Sequence, residues 1–481
     1  MATITSTGLG SGLDVASIVA ALMAVEQRPL TLMQQAKTEL STQLSAFGKL
    51  QSLTSAMRDA ANNLSSVSLW NQTVATSSDS ASVGVSTDSA AATGSYSINV
   101  TKLANSQTVS SRAFTSTAST LGEGTLTIEL GKWDGEPTPT GFTAKTGTTP
   151  LTVTIGPDDT SLASIRDKIN AAGAGVTASI VNDASGSRLA LRSTETGEEN
   201  AFRISASETS DDGVASEGLS ALAYSATDVA SQMTRNQTAV NASATINGIV
   251  VNSASNKLED VAGGLTLTLL KVTSTAVDVG VNADDAAVKT AMTTFTKTFN
   301  ELAVYIRDQT KYDAASKTGG ALQGDRTVGS VQSQLRGVIN AATGASTVFT
   351  RLSDIGITMK SDGTLETNTT KLDSALTNRA EMRKALATDA ETSGASGFMD
   401  RFRDLGNVLL GTDGAITTRN SSLQTMITRN QSSQDAMQLR LDQTEKRLNA
   451  QYQALDTTMA KMSSVSSYLT QQLASLASFS S

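Results

Sequence analysis

The chain has no cysteine and no histidine among its 481 residues. The first absence excludes disulfides, thiol nucleophiles and zinc–thiolate sites together. The second removes the commonest general base and the commonest metal ligand. Catalysis would fall to carboxylates, Ser/Thr, Lys and Tyr. Aromatic residues make up only 4% and hydrophobic residues 39%, so any cores are built from Val, Ile, Leu and Ala. Proline is scarce, at five residues, and four of these (Pro137, Pro139, Pro150, Pro157) fall in one short window, which reads as a loop edge of a β domain.

Positive charge is also short: 37 Lys+Arg against 45 Asp+Glu give a net charge of −8. Nucleic-acid surfaces need clustered Lys/Arg, and no such run appears, so no nucleic-acid partner is expected. The longest wholly apolar run, Ile18 to Val25, is far short of the ~20 residues needed to cross a bilayer. No membrane insertion is expected. The start of the chain lacks the charged, apolar and small-residue regions of a cleaved secretory signal.

What is present is long-range helical order at both ends. From Ala415 to Ser481 there is neither Gly nor Pro. Apolar residues recur every seven positions at Leu441, Leu448, Leu455, Met462, Leu469 and Leu476, with Tyr452, Met459 and Leu473 four residues after three of them. This 4–3 spacing predicts a coiled-coil seam, weakened at Glu445 and Ser466, over roughly 54 Å. Near the start, Ser11 and Asp14 have capping-box spacing ahead of Ile18, Leu22 and Val25. Pro29 should break or restart that helix. Leu40, Leu44, Phe47, Leu50, Met57 and Leu64 then continue at helical steps. These stripes can bury against each other, against sister subunits, or both.

Between the ends, residues 74–281 alternate in the manner of half-buried antiparallel strands, as at Tyr96–Val100, Leu126–Leu130, Leu151–Ile155 and Leu265–Leu269. One short helix is expected around Leu162, Ile165 and Ile169. Helix returns from Val288 to Ile306, then at Val331–Ile339, Leu372–Leu386 and Phe398–Leu410. The order predicts an α+β chain with long terminal coiled-coil helices, a helical inner domain and two inserted antiparallel β-rich head domains.

Chemistry-bearing motifs are weak. Gly8-Leu9-Gly10-Ser11-Gly12 follows no strand and misses the spacing of a dinucleotide loop. The pairs Asp158-Asp159, Asp211-Asp212 and Asp284-Asp285 could bind a cation or serve glycoside hydrolysis, but acids in turns are far commoner. Trp70, Trp133 and Tyr224 could contact an extracellular ligand, and burial is the simpler reading. No catalytic residue, metal or cofactor is assigned.

Several blocks together resemble the filament-cap family of bacterial flagella. They are Gly8–Asp14, Glu26–Leu30, Phe47–Leu50, Thr93–Val100, Ile246-Asn247-Gly248 and above all Asn256–Leu269. Tyr312-Asp313, Leu322–Asp325, Ile355–Ile357 and Asp362–Leu365 follow in the family's order. The resemblance implies a structural, non-enzymatic ring of about five or six copies at the distal tip of the filament, closed by cyclic symmetry. Such a cap retains exported flagellin and promotes its folding and insertion. The resemblance also implies a division into 1–42 with 415–481 as a coiled-coil leg, 43–73 with 283–414 as the inner domain, 74–111 with 236–282 as the first head domain, and 112–235 as the second, outer one. It implies secretion through the flagellar export channel, an extracellular location at the flagellum tip, contact with hook–filament junction proteins, and a cytoplasmic export chaperone at the C-terminal helix. Leu441, Leu448, Tyr452, Leu455, Met459, Met462, Leu469, Leu473 and Leu476 are expected to make the oligomer or chaperone contact. Leu22, Leu40, Leu44 and Phe47 are the expected contacts of the N-terminal helix. Competing readings are another axial flagellar protein and a tip adhesin binding mucin or host glycans.

Overall fold

The computed structural model describes residues 14–478 except 230, 316 and 393, and side chains as far as 474. The chain divides into two compact units. One joins the chain up to Leu69 to the chain from Asp285 onward; the other is Trp70–Asp284. The β-rich unit is thus an insertion into the helical one, as the helix–strand–helix order of the sequence predicts.

In the helical unit, Val15–Glu26 is followed at once by the 38-residue helix Arg28–Ser65, with Pro29 in its first turn. Proline there forfeits only an N–H that has no partner in a first turn anyway. The two axes meet at 43°. Among the described residues no single helix is long and apolar enough to cross a membrane. The first described helix opens at Val15, and Ser11, the expected cap, lies outside the described residues. Asp14 is its N-cap, in non-helical conformation, and its Oδ1 accepts from Ser17 N–H at 3.0 Å. The glycine-rich Gly8–Leu13 stretch lies outside the described residues.

Phe47, Leu50, Met57 and Leu64 of the second helix are fully buried. They pack with the helices Asp285–Thr310 and Phe398–Leu410, whose Phe295, Phe299 and Phe402 rings lie 5.0–6.3 Å apart. The C-terminal helix Ala415–Ser478, 64 residues long, runs antiparallel to the second helix. Its rungs are Asn420 Nδ2 donating to Gln51 Oε1 at 2.9 Å, Lys37 Nζ donating to Gln431 Oε1, and Gln434 Nε2 donating to the Met33 carbonyl at 3.4 Å. Asp325 caps the helix Arg326–Asn340 through Thr327 N–H and receives Arg419 Nε at 3.0 Å, fixing the start of the C-terminal helix. The stretch Leu372–Leu386, read from sequence as one helix, is two: Thr369–Leu376 and Arg379–Ala387, broken at Thr377-Asn378.

The inserted unit holds two hydrophobic cores. One lies within a five-stranded sheet in the order Thr73–Ser77, Val277–Ala283, Gly94–Lys102, Ala242–Ile246, Ile249–Ser253, and a three-stranded sheet containing Leu265–Leu269. The other gathers residues between Val109 and Ala239 from two four-stranded sheets and the helix Leu162–Ala172. The described strand pairings between named strands are antiparallel.

The blocks that carry the family resemblance turn out to shape the backbone. Asn247-Gly248 forms a two-residue hairpin turn with φ of +50° and +82°, which this dipeptide tolerates best. Asn247 Oδ1 accepts from Ser97 N–H at 2.8 Å. Asn256 bridges both backbone groups of Ala104. At Gly264, φ is +90° and a Cβ would lie 2.1 Å from Asp88 Oδ1, so only glycine fits.

Candidate functional site

The C-terminal helix is covered for only part of its length. Ile416, Leu423 and Leu441 are buried. Val15, Val19 and Met23 of the first helix close over Leu441, with Leu448 and Tyr452 half-buried at the edge of the same cluster. Beyond Tyr452 the heptad continues without cover. Leu455 is 44% exposed, Met462 72% and Leu473 66%, with Met459 and Leu469 also exposed. Val465 and Tyr468 widen the apolar surface. The side chain of Leu476 lies outside those described. Burying one such leucine is worth roughly 1.5–3 kcal/mol, so an uncovered stripe of this length is a surface suited to a partner.

Of the predicted N-terminal contacts, Phe47 is fully buried and Leu40 and Leu44 are half-buried on the second helix, while Leu22 is 41% exposed. Phe47 lies under the guanidinium of Arg419 on the C-terminal helix, 5.9 Å from its ring centre. On the first helix the residues that meet the C-terminal helix are Val15, Val19 and Met23, which sequence reasoning passed over. Their i, i+4 spacing was present, but Ile18–Val25 is apolar on every side and periodicity could not choose a face.

Two cavities each contain an ion pair. One of about 690 Å³ runs beside Asp285–Thr310, bordered by Thr293, Thr296, Asn300, Val304 and Leu372, with Lys289 and Asp373 in an ion pair at 2.6 Å. Another of about 580 Å³ lies in the β-rich unit beside Lys132, Glu198 and Asn241. Glu198 accepts from Lys132 Nζ at 2.9 Å and holds that ammonium above its ordinary pKa. Glu208, Asp211 and Asp212 could reach one cation, but Glu208 ends a strand, the two aspartates stand on the loop after it, and all three already accept backbone N–H groups, of Ser220, Gly213 and Val214. Trp70, Trp133 and Tyr224 are all buried, and Trp133 borders the second cavity.

Models of the N-terminus and C-terminus of flagellar hook-associated protein 2 match residues 11–107 and 239–464, and the flagellin hook IN motif matches 142–195. The flagellar hook-associated protein 2 of Escherichia coli (strain K12) is 33% identical over 490 residues, covering 98% of each chain. This chain belongs to the flagellar hook-associated protein 2 family. The Xenorhabdus nematophila member is 30% identical over 508 residues, covering 98% of this chain and all of its own. Among solved structures, the D1-D2-D3 domains of the flagellar cap protein FliD from Escherichia coli align with a TM-score of 0.60 at 30% identity. That alignment covers 79% of this chain and 99% of that one. In this member of the family the match to the C-terminal model ends at residue 464, so Leu469 and Leu473 extend the stripe beyond it.

Proposed function

We propose that this protein is a structural cap at the distal end of the bacterial flagellar filament, where a ring of copies retains exported flagellin and promotes its folding and insertion. The observation that carries this reading is the match to flagellar hook-associated protein 2 over nearly the whole of both chains, joined by the likeness to a solved flagellar cap protein. The uncovered stripe supports it physically, since an assembly protein needs apolar surface that its own fold leaves free.

The finer parts belong to the same reading. The ring has about five or six copies, a number set by closure rather than by heptad pairing. The chain leaves the cell through the flagellar export channel, works outside it, and adjoins the hook–filament junction proteins. Before export, the stripe from Leu441 to Leu476 meets a cytoplasmic chaperone. The terminal helices act as the leg and the remaining helices as the inner domain. The two cores of the inserted unit correspond to two head domains. The role is mechanical and calls for no catalytic group or cofactor.

Deleting the gene in its own bacterium tests this directly. Flagellin is expected in the medium as monomer, with filaments lost and restored by the intact gene. Normal filaments in the deletion strain would contradict the proposal.

A further inference from the structure

In the five-stranded sheet of the inserted unit, Ile249–Ser253 is the last strand and has one neighbour, Ala242–Ile246. The two-residue turn at Asn247-Gly248 fixes which backbone groups face that neighbour. Ile249, Val251 and Ser253 stand in hydrogen-bonded pairs with Ile246, Ala244 and Ala242, so the N–H and C=O groups of Val250 and Asn252 point the other way. Among the described residues those four groups meet no partner.

Elsewhere in the chain, asparagine side chains close such edges. On the outer side of the edge strand Val176–Asp183, Asn170 Nδ2 donates to the Ala178 carbonyl at 2.9 Å and its Oδ1 accepts the Ala178 N–H at 2.7 Å. Asn300 does the same for Leu365, donating to its carbonyl at 2.9 Å and accepting its N–H at 2.6 Å. Charge, the other usual guard of an edge, is missing as well: no Lys, Arg, Asp or Glu occurs from Asn236 to Asn256. Instead Ile249 and Val250 are 70% and 63% exposed. An open, uncharged edge carrying β-branched side chains is the geometry that accepts a further strand.

We propose that this edge takes up, as a further strand, an extended segment of a chain that has not yet folded, uncharged and rich in β-branched residues. Only extended backbone offers donors and acceptors alternating at the spacing of Val250 and Asn252. The proposal rests on the cap reading, in which the unfolded chain that arrives is exported flagellin. A second copy does not fit, because joining two like edges needs a twofold axis and neighbours around a ring are not related by one.

Hydrogen exchange in the full-length protein tests this, with an end-blocked peptide of alternating valine and threonine as probe. A copy of the peptide N-methylated at every residue is the control. At saturating peptide, exchange of the Val250 and Asn252 amides should slow roughly tenfold, and the N-methylated copy should have no effect. Val250→Pro removes one outward N–H without touching the bonds to Ala242–Ile246, and Val250→Lys places a charge on the edge. Each should weaken peptide binding roughly tenfold and leave the far-ultraviolet circular dichroism unchanged. If the proline variant unfolds, the lysine variant decides. Peptide protection that survives V250K would overturn the proposal, as would equal protection by the N-methylated copy. So would slow exchange at Val250 and Asn252 that grows with protein concentration in the absence of peptide, which would make a second copy the occupant. In the bacterium, the V250K gene should let more flagellin into the medium than the unaltered gene does, and unchanged retention would overturn flagellin as the captured chain. Failure of the cap reading itself shows separately, as filaments that grow in the deletion strain.

Discussion

Tyr224 brings a hydroxyl into the core between Val109 and Ala239, where the ring meets Trp133 edge-on at 5.9 Å and its Oη finds no hydrogen-bond partner among the described residues. Burial pushes its pKa up to about 12. The sign follows directly. An unfolded tyrosine ionises near pH 10 and the folded one does not, so between pH 10 and 12 unfolding gains the released proton. Stability should therefore fall by about 2–3 kcal/mol across that window. Tyr224→Phe should flatten this part of the alkaline loss and be at least as stable at neutral pH, read by urea unfolding at each pH. An unchanged slope would contradict the assignment. The three aromatics weighed as ligand contacts are core residues, an outcome legible from their large burial area. By contrast, nothing in the sequence marks Arg401, which is buried and spends its guanidinium on the carbonyls of Ser396, Ala342 and Gly394. Those three carbonyls converge only after folding.

At the scale of elements, the C-terminal helix was plain in the sequence because no Gly or Pro interrupts it and its apolar residues keep a 4–3 step. Its division into covered and uncovered parts was not, since that depends on where the first helix begins and which face it turns inward. The break at Thr377-Asn378 was hidden for a related reason: neither residue forbids helix, and only the packing of two short apolar faces separates them. The division has a measurable consequence. Leu455→Asp with Met462→Asp alters only exposed positions, so thermal unfolding should shift by no more than about 0.5 kcal/mol. The same pair should abolish binding of the export chaperone from the same bacterium, followed by calorimetry, and unchanged affinity would count against that contact. Leu441→Ala, under the first helix, should instead cost at least about 2 kcal/mol.

For the whole molecule, the insertion of a β-rich unit between helical ends was readable from the order of hydrophobic periods, 3.6, then 2, then 3.6. The residues that carry the family resemblance shape turns, which explains why they are recognisable while the uncovered stripe is defined by spacing alone. The central claim is that this protein sits at the growing end of the filament. Immunogold labelling of intact filaments with antibody to the β-rich unit tests it most directly. The account predicts one cluster of gold at the distal tip of each filament and none along its length. Gold spread along the shaft, or confined to the cell-proximal end, would contradict it.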